Sequence, residues 1–409
     1  MYKKKLSSDF ANLIYLRTIK GLGDKASKIK IFFLRIVLFF TLLLVATTFP
    51  FLVVFCFIYL NINSGNNTGL GEGQLLVKGK LFFCRSKATF DKIESLLKSD
   101  DLLIVESTLF DAPVAQIKIF SKNNLNNLKA YFHCIFIILR DLVQVFKDIN
   151  RILGLSIFGY TNLMQLILRI VPRMLHKAAY EASLSLLIEK NRSQTRGKCF
   201  YTGNKDDQLA ALENRIALNE HLHLECLPHG LEYGFKLPNQ MPGKRVYCYT
   251  ENAANVLNRL YDSGKYCFDP KVAQKMLCNE QARKVKDENR GIVVFSSPRE
   301  REIINSILKK LNSEGLEYRL KLHPLDSFDF YATNCSKELL VEVAPLNSIC
   351  ISPPSTILLQ AIYSSGKPIC IFKDVEHRDN TELHFPSLVD SNIITADLES
   401  EFKFEELIR

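Results

Sequence analysis

The feature that most constrains this chain is an uninterrupted apolar run near its start. From Ile36 to Leu60 there are 25 consecutive residues without a charge, rich in Leu, Val and Phe. As a helix rising about 1.5 Å per residue, the run would be roughly 38 Å long. That is enough to cross a bilayer core of about 30 Å with some tilt. A cleaved signal peptide has a shorter apolar core, of about 7–15 residues, nearer the start, and a buried soluble helix does not need so long a run. Residues 31–60 are therefore read as a membrane anchor. Thr47, Thr48 and Pro50 fall in its middle. Proline removes a backbone hydrogen bond and kinks a helix, so two topologies are open: a single crossing, and a re-entrant hairpin.

The net charge of +10 belongs largely to the flank of this run. Residues 1–35 hold nine bases (Lys3, Lys4, Lys5, Arg17, Lys20, Lys25, Lys28, Lys30 and Arg35) against two acids, Asp9 and Asp24. The surplus of seven leaves +3 for the other 374 residues. A nucleic-acid binder spreads basic charge over its folded domain, whereas bases beside an apolar segment point to a membrane surface. No nucleic-acid partner is expected, and 1–30 reads as a basic cytosolic segment.

The 11 cysteines form no C-x-x-C pair. Several, including Cys84, Cys226, Cys248, Cys350 and Cys370, sit in apolar strand-like runs. Buried free thiols fit a reducing compartment, which favours a cytosolic domain held at the membrane over a lumenal or periplasmic one behind a single crossing.

Beyond a Gly/Asn-rich linker at 61–79, the chain of 409 residues has room for two domains. From Lys80 the texture alternates short apolar strands with helical stretches: Lys80–Cys84, Thr89–Lys98, Leu102–Glu106, then Lys198–Thr202, Asp207–Asn219, His223–Leu227 and Arg245–Tyr249. This pattern predicts βαβ units and a parallel sheet. Long apolar helices with scattered bases interrupt it at 123–190, with two readings open: a plain helical insertion, and a layer with one face on the membrane. A charged stretch at 284–291 reads as a hinge. After it come strands at Ile292–Phe295, Glu317–Leu322, Glu338–Val343, Ser348–Ser352 and Ile369–Phe372, with helices at Arg299–Asn312 and Ser355–Ser364. The expected organisation is one Rossmann-like domain at 80–283 and a second at 284–409.

Open α/β sheets bind ligands beyond the carboxyl ends of their strands, and three segments fall there. In Lys321-Leu322-His323-Pro324, the imidazole can donate to a phosphate, with Lys321 two residues away on the same face. In Ser352-Pro353-Pro354-Ser355-Thr356, the hydroxyls and free amides at a helix start favour an anion, though an ordinary N-cap explains Ser355 as well. In Pro228-His229-Gly230-Leu231-Glu232-Tyr233-Gly234, His229 or Glu232 could deprotonate a hydroxyl. Asp207 is a rival base, or the N-cap of the helix that follows it.

The segment 291–372 resembles the C-terminal half of bacterial GT-B glycosyltransferases of capsule and lipopolysaccharide synthesis, sialyltransferases above all. Their His-Pro motif matches His323-Pro324, and their Ser-Ser/Thr motif matches Ser355-Thr356. The resemblance implies two Rossmann-like domains facing a cleft, and an inverting, metal-independent transferase of the bacterial inner membrane. The donor would be a nucleotide sugar, CMP-linked, bound by Lys321, His323, Pro324, Ser355 and Thr356, with His323 assisting departure of the phosphate. The acceptor would be a glycan or glycolipid, and no cofactor is implied. The acidic Asp/Glu-Asp/Glu-Gly triplet that supplies the base in those enzymes is absent here. Pro228-His229-Gly230 is similar instead to the His-Gly of polyol-phosphate transferases, so a CDP-polyol phosphate transferase and a non-catalytic scaffold of the same fold stand as alternatives. No Walker A loop, G-x-S-x-G elbow or H-E-x-x-H motif occurs, and His221 and His223 have no evident partner to complete a metal site.

Overall fold

The computed structural model describes residues 7–19, 28–63, 79–106, 111–112, 114–120, 128–153, 160–191, 195, 197–203, 205–227, 230–277, 291–342 and 347–408. The elements, in chain order, begin with two helices, α1 (Ala11–Ile19) and α2 (Lys28–Asn63). Then come β1 (Leu81–Cys84), α3 (Lys87–Ile93), β2 (Leu102–Val105) and β3 (Ala115–Lys118), followed by the long helices α4 (Leu128–Leu153) and α5 (Tyr160–Lys190). Next are β4 (Cys199–Thr202), α6 (Gln208–Asn219), β5 (His223–Cys226), β6 (Arg245–Cys248), α7 (Glu251–Tyr261), β7 (Tyr266–Phe268) and α8 (Pro270–Leu277). The remainder is β8 (Ile292–Phe295), α9 (Arg301–Ser313), β9 (Tyr318–Lys321), β10 (Ile349–Ser352), α10 (Thr356–Tyr363), β11 (Lys367–Phe372), α11 (Val375–His384), β12 (Ile394–Asp397) and α12 (Phe404–Ile408).

The fold is α/β with two sheets, ordered β3-β2-β1-β4-β5-β6-β7 and β12-β11-β10-β8-β9. Every described pairing is parallel, with β1 registered on β2 and β4, and β8 on β9 and β10. All four residues of β1, β2, β8 and β10 are buried, as parallel strands covered by helices on both faces require. In each sheet the chain reverses its direction of winding once, between β1 and β4 in the first and between β8 and β10 in the second. Such reversals leave a crevice at the carboxyl ends of the strands.

The chain forms two compact units. The first holds 1–90, 97–227 and 237–246, and the second holds 91–96, 228–236 and 247–409. The division therefore precedes the expected boundary at 284; the charged stretch read as a hinge lies almost wholly outside the described residues, as does most of the linker at 61–79. Residues 247–277 join the second unit through contacts of their own. Tyr363 donates its hydroxyl to the Tyr249 carbonyl at 3.1 Å, Asn252 bonds the Pro386 carbonyl at 2.9 Å, and α8 packs on α10. The strand expected at Glu338–Val343 is instead a short 3-10 turn with one bridge, Leu320 to Leu340. Its amides are already committed locally: Leu339 N–H bonds the Ser336 carbonyl, and Leu340 N–H that of Lys337.

The N-terminal segment departs most from expectation. Lys28–Asn63 is one continuous helix, so no re-entrant hairpin forms. Over the described residues no helix is long and apolar enough to cross a membrane. Leu34, Leu38 and Val53 of α2 are buried in the same core as Ile137 and Ile138 of α4, Met174 and Tyr180 of α5, and Phe83 and Phe200 of the sheet. Phe10, Ala11 and Ile14 lie in that core too, so the start of the chain is more than a basic tail. Asn12 Nδ2 bonds the carbonyls of Asp206 (3.0 Å) and Asn239 (2.9 Å), and the Ser7 and Ser8 amides cap the buried carboxylate of Asp148.

A charge network fastens these helices. The ammonium of Lys177, 0% exposed, lies 2.6 Å from Asp9, 2.6 Å from Asp141 and 2.9 Å from Glu181. Arg140 bridges Asp141 and Glu181, both at 2.9 Å, and Arg215 bridges Glu181 at 2.6 Å and Asp9 at 2.7 Å. Three cations meet three carboxylates, drawn from the N-terminal segment, α4, α5 and α6. Burial raises the Glu181 carboxyl, but hydrogen bonds from Arg215 and Arg140 and the charge of Lys177 outweigh it and hold its pKa well below the ordinary 4.5. Removing one member of such a cluster leaves a buried charge uncompensated. Lys177→Met is therefore expected to cost about 3–5 kcal/mol in denaturant unfolding, and part should return in a Lys177→Met/Asp141→Leu double variant. Because the folded Glu181 pKa is depressed, its stabilisation is complete above the unfolded value and is lost as pH falls below it. Glu181→Gln should flatten the acid limb of the stability–pH curve.

Candidate functional site

In the second unit, the strand order β10-β8-β9 sets three loops side by side at the carboxyl edge. The loop after β8 begins with Ser296, that after β9 carries His323-Pro324, and that after β10 runs through Pro353-Pro354 to Ser355. Ser296 is buried, and its hydroxyl accepts the His323 backbone N–H at 2.9 Å. The Leu325 N–H donates to His323 Nδ1 at 3.1 Å, so the neutral ring carries its hydrogen on Nε2. His323 is exposed, leaving that N–H available to a ligand.

Asp326 braces the loop. Its side chain is 0% exposed and accepts from Arg301 Nε at 2.9 Å, the Tyr331 hydroxyl at 2.5 Å and the Ser327 N–H at 3.1 Å. Burial alone would raise its pKa; the hydrogen bonds from Tyr331, Ser296 and Arg301 hold it below the usual carboxylate range. Burial first, and then the hydrogen bond to Asp326 and its charge, push the Tyr331 hydroxyl above its ordinary 10.0, so it stays a donor.

Ser355 caps α10 with extended backbone, its Oγ accepting from Ile357 N–H at 3.4 Å, and Thr356 is the first helical residue. The ordinary N-cap reading thus holds for Ser355; the Leu358 N–H bonds the Ser355 carbonyl at 3.3 Å, which leaves the Thr356 amide at the helix start, where an anion is favoured. Lys321 is placed differently from expectation. Burial lowers its pKa, and its ammonium is engaged by the Glu342 carbonyl, away from a phosphate role.

In the first unit, the carboxyl edge around the β1/β4 reversal is lined with charge. Arg85 follows β1, Glu106 follows β2 and Gly203 follows β4. Asp207, a candidate base, has both oxygens occupied: Oδ1 caps α6 through the Leu209 and Ala210 amides, and Oδ2 pairs with Arg85. Burial pulls the Arg85 pKa down, but Asp207 and Glu213 raise it further. Glu213, buried, accepts the hydroxyls of Tyr180 (3.0 Å) and Thr202. Burial and Glu213 push Tyr180 well above 10.0, so it remains protonated. A side chain at Gly203 would meet Thr89 Cγ2 at 2.3 Å, so this turn needs glycine.

One pair on this edge went unnoticed in the sequence. His176 of α5 places Nε2 2.5 Å from Glu106 Oε1, with the side chains 34% and 20% exposed. A half-exposed imidazole oriented by a carboxylate is the usual arrangement of a proton acceptor. Glu106 was legible, because it directly follows the fully buried strand Leu102–Val105, where ligand-facing residues are expected. No local signal marks His176, seventy positions away on a helix.

Glu232 is not at either edge. It is 0% exposed in the second unit, with Oε1 accepting the Tyr249 N–H at 3.0 Å and Oε2 the Ser387 hydroxyl. Gly234 gives close approach to the chain itself: an added Cβ would lie 2.3 Å from the Leu383 carbonyl, and its N–H bonds His384 O at 2.7 Å. His229 and Pro228 lie outside the described residues. Among the described residues, Asp9, Asp141 and Glu181 are grouped closely enough to hold a metal ion, but that position is taken by the Lys177 ammonium.

Glu232→Gln tests its role as an internal clamp. It should lower the unfolding free energy by about 1–3 kcal/mol and leave ligand-induced stabilisation of the second unit unchanged. Intact stability with abolished turnover would instead mark Glu232 as a base. Comparison with protein-family models and with curated proteins finds no match to this chain.

Proposed function

We propose that this protein is a membrane-attached glycosyltransferase of the GT-B type, which transfers a sugar from a CMP-linked donor to a surface polysaccharide or lipooligosaccharide. The observation that carries this reading is the set of loops after β10, β8 and β9. They put an exposed imidazole, its backbone N–H bonded to Ser296, its Nδ1 accepting from Leu325 N–H and its own N–H on Nε2, at the same sheet edge as the amino end of α10. Such an edge suits a nucleotide phosphate.

In the reaction, an acceptor hydroxyl attacks the anomeric carbon and the bond from that carbon to the donor phosphate breaks. Negative charge collects on the leaving phosphate. His323 Nε2–H and the Thr356 amide at the start of α10 stabilise it, because they are fixed in place before the charge develops. Thr356 adds a hydroxyl donor. The hydroxyl's proton needs a base. Of the groups weighed from the sequence, Asp207 is an N-cap paired with Arg85 and Glu232 is an interior clamp. His229, the remaining candidate, lies outside the described residues. Membrane attachment rests on the 25 uncharged residues from Ile36 to Leu60 and the basic segment before them.

Nucleotide binding to the full chain in detergent, followed by thermal unfolding, tests the reading. Deleting the first 74 residues would remove part of the first unit's core, so the whole chain is needed. At about 100-fold excess over the dissociation constant, a ligand stabilises by roughly 2.7 kcal/mol. CMP or CDP should raise the midpoint where UDP and GDP do not, and His323→Ala and Ser355→Ala should abolish the rise. Absence of any nucleotide effect on a folded protein would overturn the transferase reading in favour of a non-catalytic scaffold.

A further inference from the structure

Among the described side chains, the exposed faces of α2 and α4 are largely apolar, with Thr47 and Thr48 midway along α2. On α2, Phe32, Phe33, Ile36, Phe39, Phe40, Leu43, Leu44, Phe51, Val54 and Ile58 are 37–70% exposed, a stripe of about 39 Å at helical rise. On α4, Leu128, Phe132, Phe136, Leu139 and Val143 are 47–74% exposed. Their steps of three and four residues set them on one line of the helix, about 22 Å long. The two helices pack on each other, so the stripes belong to neighbouring elements of one unit. Soluble monomers rarely leave so much contiguous apolar surface open.

The charges on the two helices that carry these stripes are mainly basic where they are exposed. The exposed residues of α4 other than the five apolar ones are Lys129, paired with Glu189 of α5 at 3.0 Å, and Lys147, near its two ends, while its acids Asp141 and Asp148 are buried. The sequence of α2 contains no acid, and Arg35 on it is exposed. An apolar face whose own helices expose bases and no acids is complementary to anionic headgroups over acyl chains.

We infer that the outward faces of α2 and α4 together rest on an anionic phospholipid bilayer, so that the first unit sits on the membrane along two helices instead of hanging from one spanning segment. The inner side of α2 supports this. Leu34 and Val53, nineteen positions apart, are sunk in one protein core, which a lone helix surrounded by lipid would not allow. The inference rests on the membrane attachment proposed above and adds the surface that makes the contact.

The chain has no tryptophan, so single replacements report locally. Phe51→Trp on α2, Phe136→Trp on α4 and Leu383→Trp on the exposed side of α11 would each be mixed, as full chains, with vesicles of phosphatidylcholine and phosphatidylglycerol. Brominated phosphatidylcholine is then substituted for the unlabelled lipid. The F51W and F136W proteins should both lose emission, L383W should not, and leaving out phosphatidylglycerol should weaken the loss. Loss in F51W without loss in F136W would overturn the two-helix surface while keeping membrane attachment. No loss in either would overturn both, and concentration-dependent dimerisation in that case would assign the faces to a second copy of the chain.

Discussion

The Lys177 ammonium is the point on which the first unit's arrangement turns. An unpaired charge in the interior is prohibitively unfavourable, and Lys177 is fully buried. It is tolerated because carboxylates from three parts of the chain close around it and two guanidinium groups balance their excess. The requirement works in both directions. Asp9, Asp141 and Glu181 would repel one another without the cations, so the N-terminal segment, α4, α5 and α6 can meet in only one register.

That register also sets the polar edge of the first sheet. His176 precedes Lys177, and Tyr180 precedes Glu181. With Lys177 and Glu181 locked into the network, the same turn of α5 directs His176 to Glu106 and Tyr180 to Glu213. A group meant to exchange a proton benefits from a rigid support, and here the support is electrostatic. The second sheet achieves rigidity mainly with hydrogen bonds and a single ion pair: Ser296 under His323, and Asp326 gathering Arg301, Tyr331 and Ser327. Both edges arise from one topological cause. A parallel sheet whose winding reverses leaves adjacent loops without a crossover to fill the gap between them.

Much of this was written locally in the chain. Buried strands such as Leu81–Cys84 and Ile292–Phe295 and the amphipathic helix at Arg301–Ser313 follow from runs and periods a few residues long. His323 just past a strand and Ser355 just before a helix follow from the same reading. The strands absent from the expected set have the weakest local pattern: Ala115–Lys118 is half-exposed and polar, Tyr266–Phe268 is three residues long, and Ile394–Asp397 mixes polar with apolar residues and buries only its last two. Glu232 misled because its neighbours, two glycines and a histidine, look like a ligand loop. Its burial comes from Tyr249 and Ser387, which no local pattern connects to it.

The sequence by itself determined the α/β alternation, the existence of a long apolar helix near the start, and the residue types at the ends of the strands. Tertiary structure decided which side of that helix faces protein, where one unit gives way to the other, and which ionisable groups meet. The reason is that the hydrophobic effect and backbone periodicity act over neighbouring residues and treat lipid and protein core alike as apolar. A charge, by contrast, is tolerated in the interior only beside its complement, and the partners of Lys177, His176 and Glu232 lie between four and some 170 positions away.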